Sequence, residues 1–246
     1  MSGRLILSAG MPRAGSGWYY NLTHDLLVAT GHQDAHQVRQ RYHLQALLTE
    51  VNCNLGALTP HRLLLVMLPV WMGNTFVVKT HAAPRSLARW MMRRGWIHPT
   101  YIYRDPRDAL LSAYEYGQRS RQRDGSNAFA RLESFEKAMA FMQEYVRISQ
   151  AWLSCQQALH TRYEDLLIHY DEQSARLVEF LGLSKDDPEV MVVVDRYRPE
   201  TARADQKGTH FVKGKIGRFR QVLTAEQQEA CQRIFKDYLE RAGYPL

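Results

Sequence analysis

The sequence predicts a single α/β domain, residues 1–246, in which a central parallel sheet is flanked by helices. Three observations support this fold class. The chain has 246 residues, enough for one well-buried core, and nothing in its composition divides it into unlike halves. Short β-branched or aromatic runs alternate with segments of helical spacing, which is typical of a parallel sheet covered on both faces. A glycine-rich turn joins the first apolar run to the first helical segment.

Four runs of strand length predict the sheet. We expect strands over residues 5–8, 76–79, 100–103 and 159–163. Apolar residues at helical spacing predict helices over residues 18–29, 86–94, 106–118, 134–155 and 172–181. A last helix, Ala225–Arg241, is predicted to begin after Thr224 as its N-cap and to stop at Gly243.

The excess of basic residues favours an anionic partner. The formal net charge of +7 fits nucleic acid, a membrane surface or a small polyanion. The basic residues are scattered and form no stripe interleaved with aromatic residues, so we expect no nucleic-acid partner. The longest apolar run, residues 63–71, is half the length that a membrane span needs and contains Pro69. We therefore expect this run in the core, and no membrane partner.

Cysteine usage and the first residues predict a cytoplasmic protein without a metal site. Cys53, Cys155 and Cys231 are widely spaced and form no metal or redox pattern, which fits buried thiols in a reducing compartment. No secretory signal precedes the first predicted strand. Histidines cluster within residues 31–43, but no recognisable ligand set accompanies them, so we expect a solvated face there. The polar, arginine-rich segment 115–131 is expected to include a mobile surface loop.

The segment "SAGMPRAGSGW", residues 8–18, predicts a P-loop-like strand–loop–helix unit. Such a unit binds phosphate because successive amides and the helix N-terminus point at one anion. Gly10 and Gly15 have the spacing of a triphosphate-binding loop, but Ser16 stands where that loop requires lysine. Ser16 can instead cap the helix or donate its hydroxyl, and the cation of this loop is Arg13. On this segment alone, a phosphate site and a purely structural turn both stay open.

The segment "FVVKTHAAP", residues 76–84, predicts a general base. Lys79 and His81 share one face of a strand, because side chains alternate along it. A neighbouring ammonium favours the neutral imidazole, which can accept a proton at pH 7. The alternative is a histidine that closes a strand and is bonded to the backbone.

The segment "YIYRDPRDALLSAY" places Arg104 at the carboxyl end of a strand, just before a helix that Asp105 caps and Pro106 opens. Open α/β sheets bind ligands at that edge, and an arginine there can hold a phosphate with two charge-assisted hydrogen bonds. The alternative is a surface ion pair between Arg104 and Asp108. Further along, "FVKGKIGRF", residues 211–219, predicts a loop whose amides and lysines face an anion.

Taken together, these segments resemble the cytosolic sulfotransferases that use 3′-phosphoadenosine-5′-phosphosulfate (PAPS), and the resemblance covers nearly the whole chain. Residues 12–18 are similar to the family's 5′-phosphosulfate loop, P-K-S-G-T-T-W. Residues 79–81 match its K-T-H, and residues 103–108 with Ser112 resemble its 3′-phosphate motif. Two later segments complete the set, as Tyr163-Glu164-Asp165 resembles Y-E-D and Lys213-Gly214 with Gly217 resembles R-K-G-x-x-G.

The resemblance implies PAPS as the sulfo donor, a small-molecule acceptor that bears a hydroxyl or an amine, and no metal. It implies His81 as the catalytic base, with Arg13 and Lys79 stabilising charge on the transferred group. It also implies a set of donor-binding residues, which are Arg13, Ala14, Gly15, Ser16, Gly17, Trp18, Arg104, Ser112, Tyr163, Lys213 and Gly214. By analogy, residues 33–55 and 115–131 are expected to line the acceptor pocket.

The chain departs from the family's pattern at several motif positions. Arg13 replaces the loop lysine, Gly17 replaces a hydroxyl residue, and Val212 stands where the 3′-phosphate motif has an arginine. Arg13 can still neutralise the leaving oxygen, because that role needs charge and donors. Arg218 and Arg203 are candidates for the cation that is missing at Val212.

Two other functions stay open from the sequence. A P-loop kinase of a small metabolite would bind ATP with magnesium, but the missing lysine argues against it. A basic nucleic-acid-binding protein would depend on phosphate contacts, but the scattered charge argues against it. A homodimer also stays open, because a short C-terminal dimer motif of the family is matched, with two substitutions, by Arg220, Thr224, Ala225 and Glu229.

Overall fold

A parallel sheet organises the structure, a computed structural model that describes residues 3–122, 128–205 and 214–246. Within these ranges, four strands lie in the order β2-β1-β3-β4. Their bounds are Leu5–Gly10 (β1), Phe76–Thr80 (β2), Ile97–Tyr103 (β3) and Leu159–Arg162 (β4). Every neighbouring pair is parallel, so the carboxyl ends of the strands lie along one edge of the sheet.

Helices flank this sheet. The described residues form Ser16–Ala29 (α1), Ala35–Arg41 (α2), Pro60–Trp71 (α3), Ser86–Arg93 (α4), Pro106–Gln122 (α5), Phe135–Leu153 (α6), Tyr163–Ile168 (α7), Tyr170–Leu181 (α8), Pro188–Arg196 (α9), Pro199–Ala204 (α10), Phe219–Val222 (α11) and Ala225–Arg241 (α12), with a 3-10 turn over Ala128–Arg131. None of these helices combines the length and the apolar character that crossing a bilayer requires.

The sequence of β1 explains its central place. All six of its residues are buried, and it pairs with β2 on one side and β3 on the other. A strand buried on both faces is a continuous apolar run, as Leu5, Ile6 and Leu7 are here. In register, Leu5 lies opposite both Phe76 and Ile97, so the three strands begin together.

Two apolar clusters hold the layers together. One surrounds the sheet and includes Trp18 and Tyr19 of α1. The hydroxyl of Tyr19 lies 2.9 Å from the Thr161 hydroxyl of β4, which joins the first helix to the last strand. The other cluster lies between α5, α6 and α12, where Phe235 and Leu239 are buried. Both clusters pack against the carboxyl half of β3 through Tyr103.

The predicted elements are confirmed with longer bounds at several ends. All four strands form, and α12 covers Ala225–Arg241 as predicted. Its N-cap Thr224 accepts a hydrogen bond from the amide of Gln227, whose side chain accepts one from the Thr224 amide in return. This reciprocal pair is a capping box, which fixes the first turn of a helix. The three cysteines are buried, as predicted.

Helix α5 continues to Gln122, four residues beyond its predicted end. Residues 123–127, within the segment predicted to include a loop, lie outside the described residues. Two expectations about secondary structure are wrong. Tyr163 opens α7 instead of closing β4. Residues 63–71 belong to α3, and only one side of that helix is in the core, since Leu64, Leu65 and Leu68 are exposed.

Candidate active site

One cavity of ≈600 Å³ lies at the carboxyl edge of the sheet. Arg13 follows β1, His81 follows β2 and Arg104 follows β3, while Lys79 is part of β2 itself. Most of the predicted site residues line this cavity, namely Arg13, Gly15, Ser16, Gly17, Trp18, Lys79, His81, Arg104, Ser112, Tyr163 and Gly214. Segments far apart in sequence thus converge on one site, at the edge where parallel sheets bind ligands.

Two predicted donor-binding residues are not among the lining residues. Ala14 is fully buried and packs into the apolar cluster that also contains Ala109 and Leu110 of α5. Lys213 lies outside the residues that the structure describes.

The turn between β1 and α1 presents backbone amides to the cavity. Gly15 is the N-cap of α1, and the first intrahelical bond runs from the Tyr19 amide to the Gly15 carbonyl at 2.9 Å. The amides of Ser16 and Gly17 therefore have no hydrogen-bond acceptor within the helix. The helix dipole adds partial positive charge at the same end. Such a helix start is suited to an anion. Ser16, predicted as a possible cap, is instead the first residue of the helix.

Glycine is required at position 15 for two separate reasons. Its φ is +73°, in the left-handed region that a side chain disfavours. A Cβ there would also lie 2.7 Å from the ring of Tyr163. The loop backbone and the Tyr163 ring are consequently packed against each other with no room for a methyl group.

Arg13 is held in the cavity by its own contacts. Its backbone is also left-handed, with φ 66°. The Nε of Arg13 donates to the Ser112 hydroxyl at 3.2 Å, and the guanidinium lies 4.6 Å from the centre of the Tyr116 ring. Burial lowers the pKa of Arg13, and nearby Arg119 and Arg104 contribute to the shift. A guanidinium stays charged after such a shift, so Arg13 is a fixed cation beside the loop.

Lys79 supplies a second cation. Its side chain is only 6% exposed and points toward the cavity that it lines. Among the described residues, no hydrogen bond or ion pair engages its ammonium. Burial, with a contribution from Arg13, lowers the pKa of Lys79 to about 8. A buried ammonium without a carboxylate partner is costly in the free protein, and a bound anion would relieve that cost.

His81 has one defined tautomer. Its Nδ1 lies 2.6 Å from the carbonyl oxygen of Gly10. A carbonyl can only accept, so Nδ1 carries the hydrogen and Nε2 keeps its lone pair. Burial, assisted by the charge of Lys79, lowers the pKa of His81 to about 4. His81 is therefore neutral at pH 7, as the pairing with Lys79 predicts, and Nε2 can accept a proton. The backbone bond that stood as the alternative is present as well, and it orients the base.

The chain on either side of His81 is clamped. The Thr80 hydroxyl donates to the Leu55 carbonyl at 2.8 Å and accepts from the Ala82 amide at 3.1 Å. The indole of Trp152 in α6 donates to the Ala82 carbonyl at 2.9 Å. These bonds fix the residues before and after His81, so the position of the imidazole does not depend on a free loop.

Arg104 joins two sides of the cavity. Its guanidinium donates to the Arg13 carbonyl at 3.1 Å and to the Lys215 carbonyl at 2.8 Å. It lies 4.5 Å from the centre of the Tyr163 ring and 3.4 Å from Asp108, so the predicted ion pair also forms. Its buried Nε has no hydrogen-bond partner in the described residues. One donor of the guanidinium is thus unsatisfied in the free protein.

Asp108 is a site residue that sequence reasoning assigned only to an ion pair. Its carboxylate accepts from the amide of Gly217 at 2.6 Å and from the amide of Phe219 at 3.0 Å. These two bonds hold the segment after Gly214 against the start of α5. Alternating glycines indicated this segment in the sequence. The carboxylate that holds it, Asp108, is more than one hundred residues away, and no local signal in the sequence identifies it.

A second buried carboxylate supports the turn after β3. Glu164 accepts from the Asp105 amide at 3.1 Å and from the Tyr244 hydroxyl at 2.9 Å. Asp105 in turn accepts from the Arg107 amide at 2.9 Å, which is the capping bond expected at the start of α5. Arg107 also donates to the carbonyl of Pro245. The C-terminal residues therefore brace the turn that carries Arg104.

Trp18 belongs mainly to the core. Its ring is 1% exposed, stacks on Tyr170 at a centroid distance of 6.1 Å and donates Nε1–H to the Tyr197 carbonyl at 3.0 Å. One side of Trp18 also lines the cavity. Its predicted part in donor binding stays a prediction.

Cations and aromatic rings share the lining of the cavity. The one carboxylate among the lining residues described, Glu115, is held by Arg218 at 2.6 Å. A row of rings runs from His81 to Arg13. The His81 and Tyr145 rings meet edge to face with centroids 6.5 Å apart, Phe141 and Phe129 follow, and Tyr116 ends the row against the Arg13 guanidinium. The cations suit a polyanion, and the rings suit an uncharged, flat molecule.

The expectation about the acceptor segments is partly wrong. Segment 115–131 contributes Glu115, Tyr116 and Phe129 to the lining. Segment 33–55, all of which is described, contributes none. The analogy missed Phe141 and Tyr145 of α6, whose spacing of four residues on one helix is the signal in the sequence. Of the two candidate cations, Arg218 lines the cavity and Arg203 of α10 does not.

No group of three or more histidine, cysteine or acidic side chains is placed to hold a metal ion within the described ranges. The ammonium of Lys79, the guanidinium of Arg104 and the amides at the start of α1 are groups that bind anions. The cavity therefore has the donor set that a phosphate-bearing ligand requires.

Comparisons with known proteins agree with this geometry. Among solved structures, retinol dehydratase in complex with androsterone and the inactive cofactor PAP is similar to the chain, with 16% identity, a TM-score of 0.63, and coverage of 96% of this chain and 80% of that one. Mouse sulfotransferase SULT7A1 complexed with PAP has 13% identity, a TM-score of 0.61, and coverage of 98% and 85%. These likenesses show the fold. No curated protein sequence matches the chain. The family model described as "Sulfotransferase domain" matches residues 4–243. The chain belongs to the sulfotransferase domain family.

Proposed function

We propose that this protein transfers the sulfuryl group of PAPS to a hydroxyl, or an amine, of a small-molecule acceptor, with His81 as the general base. One observation carries the proposal, which is that a neutral, oriented imidazole and an unpaired ammonium share the cavity at the start of α1. Retinol dehydratase and SULT7A1 have been solved with PAP, which supports the choice of donor.

The donor would be held by groups on opposite sides of the cavity. The amides of Ser16 and Gly17 at the start of α1 are suited to the 5′-phosphate. Arg104, Ser112 and Gly214 are suited to the 3′-phosphate, with Lys213 expected nearby from the family motif. The Ser112 hydroxyl can accept from Arg13, as observed, and still donate to a phosphate oxygen.

The bound donor supplies an electrophilic sulfuryl group and departs as adenosine 3′,5′-bisphosphate (PAP). The residues of this chain then act on charge and protons. His81 Nε2 removes the proton from the acceptor hydroxyl, a role that typically contributes about 10²- to 10⁴-fold to the rate. Lys79 and Arg13 stabilise negative charge on the sulfuryl and bridging oxygens. The aromatic rings that line the cavity exclude water around the attacking oxygen.

The acceptor is proposed to be a flat, mainly apolar molecule with one hydroxyl or amine. The ring of Tyr145 lies next to His81, and the rings of Phe141 and Phe129 continue from it along the cavity and present apolar surface to it. Retinol and androsterone, which occur in the solved complexes of retinol dehydratase, have this general character.

The test is a transfer assay with PAPS and a panel of phenols, alcohols and amines, read by mass spectrometry. We expect sulfated product from at least one acceptor, and loss of most turnover in His81→Gln. The matched control is His61→Ala, because His61 is an exposed histidine on α3. Product formation by His81→Gln at the wild-type rate would remove His81 from the mechanism.

A thermal-shift comparison separates the donor from the two alternatives. PAP is expected to stabilise the protein, whereas ATP with magnesium and an oligonucleotide are not. Stabilisation by ATP with magnesium alone would favour a small-metabolite kinase. Stabilisation by the oligonucleotide that weakens steeply with salt would favour nucleic-acid binding.

A homodimer and a cytoplasmic location stay predictions. The capping box accounts for Thr224 without a partner chain, so the resemblance of this segment to a dimer motif has a local explanation. Light scattering on the purified protein would decide the oligomeric state.

A further inference from the structure

The outer face of α3 is apolar and exposed. Leu64, Leu65, Leu68, Trp71 and Met72 have exposed fractions between 42% and 69%. At 100° per residue they fall on one side of the helix, opposite the buried side that packs into the core. The exposed side of a helix in a globular protein is normally polar, so this face is unusual.

Two further tryptophans extend this face onto neighbouring elements. Trp96 precedes β3, and its ring centre lies 6.5 Å from that of Trp71 and 5.1 Å from that of Trp90 in α4. All three rings are between 38% and 51% exposed. We call the surface formed by α3 and these rings the α3–α4 face, made of Leu64, Leu65, Leu68, Trp71, Met72, Trp90 and Trp96.

The segment of sequence that carries the α3–α4 face has charge of one sign. Residues 51–104 contain no aspartate or glutamate. Arg93 and Arg94 are exposed at the end of α4, and the Arg94 guanidinium lies 5.5 Å from the centre of the Trp90 ring. Within the described ranges, neither of these arginines takes part in an ion pair. The face therefore combines exposed leucines, tryptophans and uncompensated cations.

We propose that the α3–α4 face binds the surface of a lipid bilayer that contains anionic phospholipids. Tryptophan favours the boundary between lipid and water, leucine gains by burial among acyl chains, and arginine is attracted to anionic headgroups. The apolar run 63–71 is too short to span a bilayer, but lying on one requires only an exposed face.

Other occupants fit the charge or the apolar surface, but not both. A second copy of this chain would place Arg93 and Arg94 near their own counterparts with no carboxylate in residues 51–104 to compensate. A nucleic acid would satisfy the arginines but leave Leu64 and Leu68 in water. An anionic bilayer satisfies both parts of the face.

The α3–α4 face is separate from the catalytic cavity. The carbonyl of Trp96 accepts from the amide of Leu5 at 3.2 Å, which places Trp96 at the amino edge of the sheet, where β1 and β3 begin. The cavity lies at the carboxyl edge and shares no residue with the face. Binding to a bilayer therefore leaves the cavity open to water, and substitutions on the face can be made without touching the site.

The test is co-sedimentation of the full chain with vesicles of phosphatidylcholine alone and of equimolar phosphatidylcholine and phosphatidylserine. We expect binding to the mixed vesicles only, with a blue shift of tryptophan fluorescence. Trp71→Ser and Leu68→Ser should each lower the partition coefficient about tenfold, as should the charge reversal Arg93→Glu with Arg94→Glu. Circular dichroism melting checks that each variant is folded.

Matched controls lie on other faces. Val192→Ser on α9 removes an apolar side chain that is more exposed than Leu68 or Trp71, and Arg233→Glu with Arg241→Glu on α12 reverses the same charge. Both should bind mixed vesicles like the unmodified protein. Absence of binding by the unmodified protein, or equal loss in the controls, overturns the proposal. So does a wild-type dimer in sedimentation that Trp71→Ser dissociates, since the face would then pair with itself.

Discussion

The Nδ1–H of His81 donates to the carbonyl of Gly10 at 2.6 Å, a bond that joins the turn after β2 to the end of β1. The two residues are far apart in sequence, and their contact depends on the parallel register of the two strands. The imidazole that we propose as the base is consequently oriented by the sheet itself.

Stability should depend on pH through His81. Its pKa is about 4 in the folded protein against 6.5 for a free imidazole. Between these two pH values His81 is protonated in the unfolded chain but not in the folded protein. The contribution of His81 to the free energy of unfolding is therefore fully present above pH 6.5 and is lost as the pH falls toward 4. The loss attributable to His81 is roughly 3 kcal/mol. Denaturation of wild type and His81→Gln across this range should show a smaller pH dependence in the variant, whereas parallel curves would mean that His81 is already solvated.

Lys79→Met should stabilise the free protein while impairing transfer. The pKa of Lys79 is lowered to about 8 because its ammonium is buried. At pH 7 the folded protein carries the cost of that charge, so removing it should raise the free energy of unfolding by about 3 kcal/mol. The gain should shrink as the pH rises above 8, where the lysine loses its proton on folding. Urea denaturation measures it, and exposed Lys185→Met serves as the control. A destabilised Lys79→Met would show that the ammonium has a partner in solution.

Gly15→Ala should destabilise the protein more than Gly31→Ala. Both glycines have positive φ, +73° and +82°, but a Cβ at Gly31 meets nothing within 4 Å. Gly31→Ala should therefore cost about 1 kcal/mol, which is the conformational penalty alone. Gly15→Ala adds a clash with Tyr163 and should cost about 1–3 kcal/mol more, with weaker PAP binding. Equal melting temperatures for the two variants would contradict the packing of Tyr163 on the loop.

Asp108→Asn should release the segment that follows Gly214. An amide offers one acceptor oxygen where the carboxylate offers two, so one of the amides of Gly217 and Phe219 loses its bond. We expect faster hydrogen exchange at these two amides and PAP affinity lower by about tenfold or more. Asp186→Asn, on the surface, is the control. Unchanged exchange at Gly217 would exclude Asp108 as the anchor of this segment.

Arg104→Lys should reduce affinity for PAP more than affinity for AMP, which lacks the 3′-phosphate. Lysine keeps the charge but loses the fork that can bind a phosphate through two donors, and about a tenfold change in the ratio of the two affinities is expected. Calorimetric titration of both nucleotides gives the ratio. A purely structural role, through the Arg13 and Lys215 carbonyls, would lower both affinities by the same factor.

The sheet was predictable because its strands are short runs with local signals at both ends, and β1, β2 and most of β3 are buried. The helix α12 was predictable in full, since its cap and its stop lie within its own sequence. The helix α3 was harder, because nine consecutive apolar residues carry no contrast between an inner and an outer face. Which side of such a helix is buried depends on the elements that pack against it, and these tertiary contacts cannot be read from the run itself.

The site residues that follow strands were predictable, because parallel strands gather their carboxyl ends at one edge. The residues that hold them in place were not. Asp108 bonds to an amide 109 positions away, and Glu164 to a hydroxyl 80 positions away. A motif shows which groups carry the chemistry, but contacts of that separation arise only when the chain is folded.

The bonds from Tyr244 to Glu164 and from Arg107 to the Pro245 carbonyl have a consequence for biosynthesis. A chain emerging from the ribosome forms its first strands and helices early, because domains fold from the N-terminal side during synthesis. The turn that carries Arg104 is nevertheless braced by Tyr244 and Pro245, which are translated long after it. The nascent chain should therefore acquire its sheet before it acquires a rigid nucleotide pocket, and the pocket is completed only when Pro245 has left the exit tunnel.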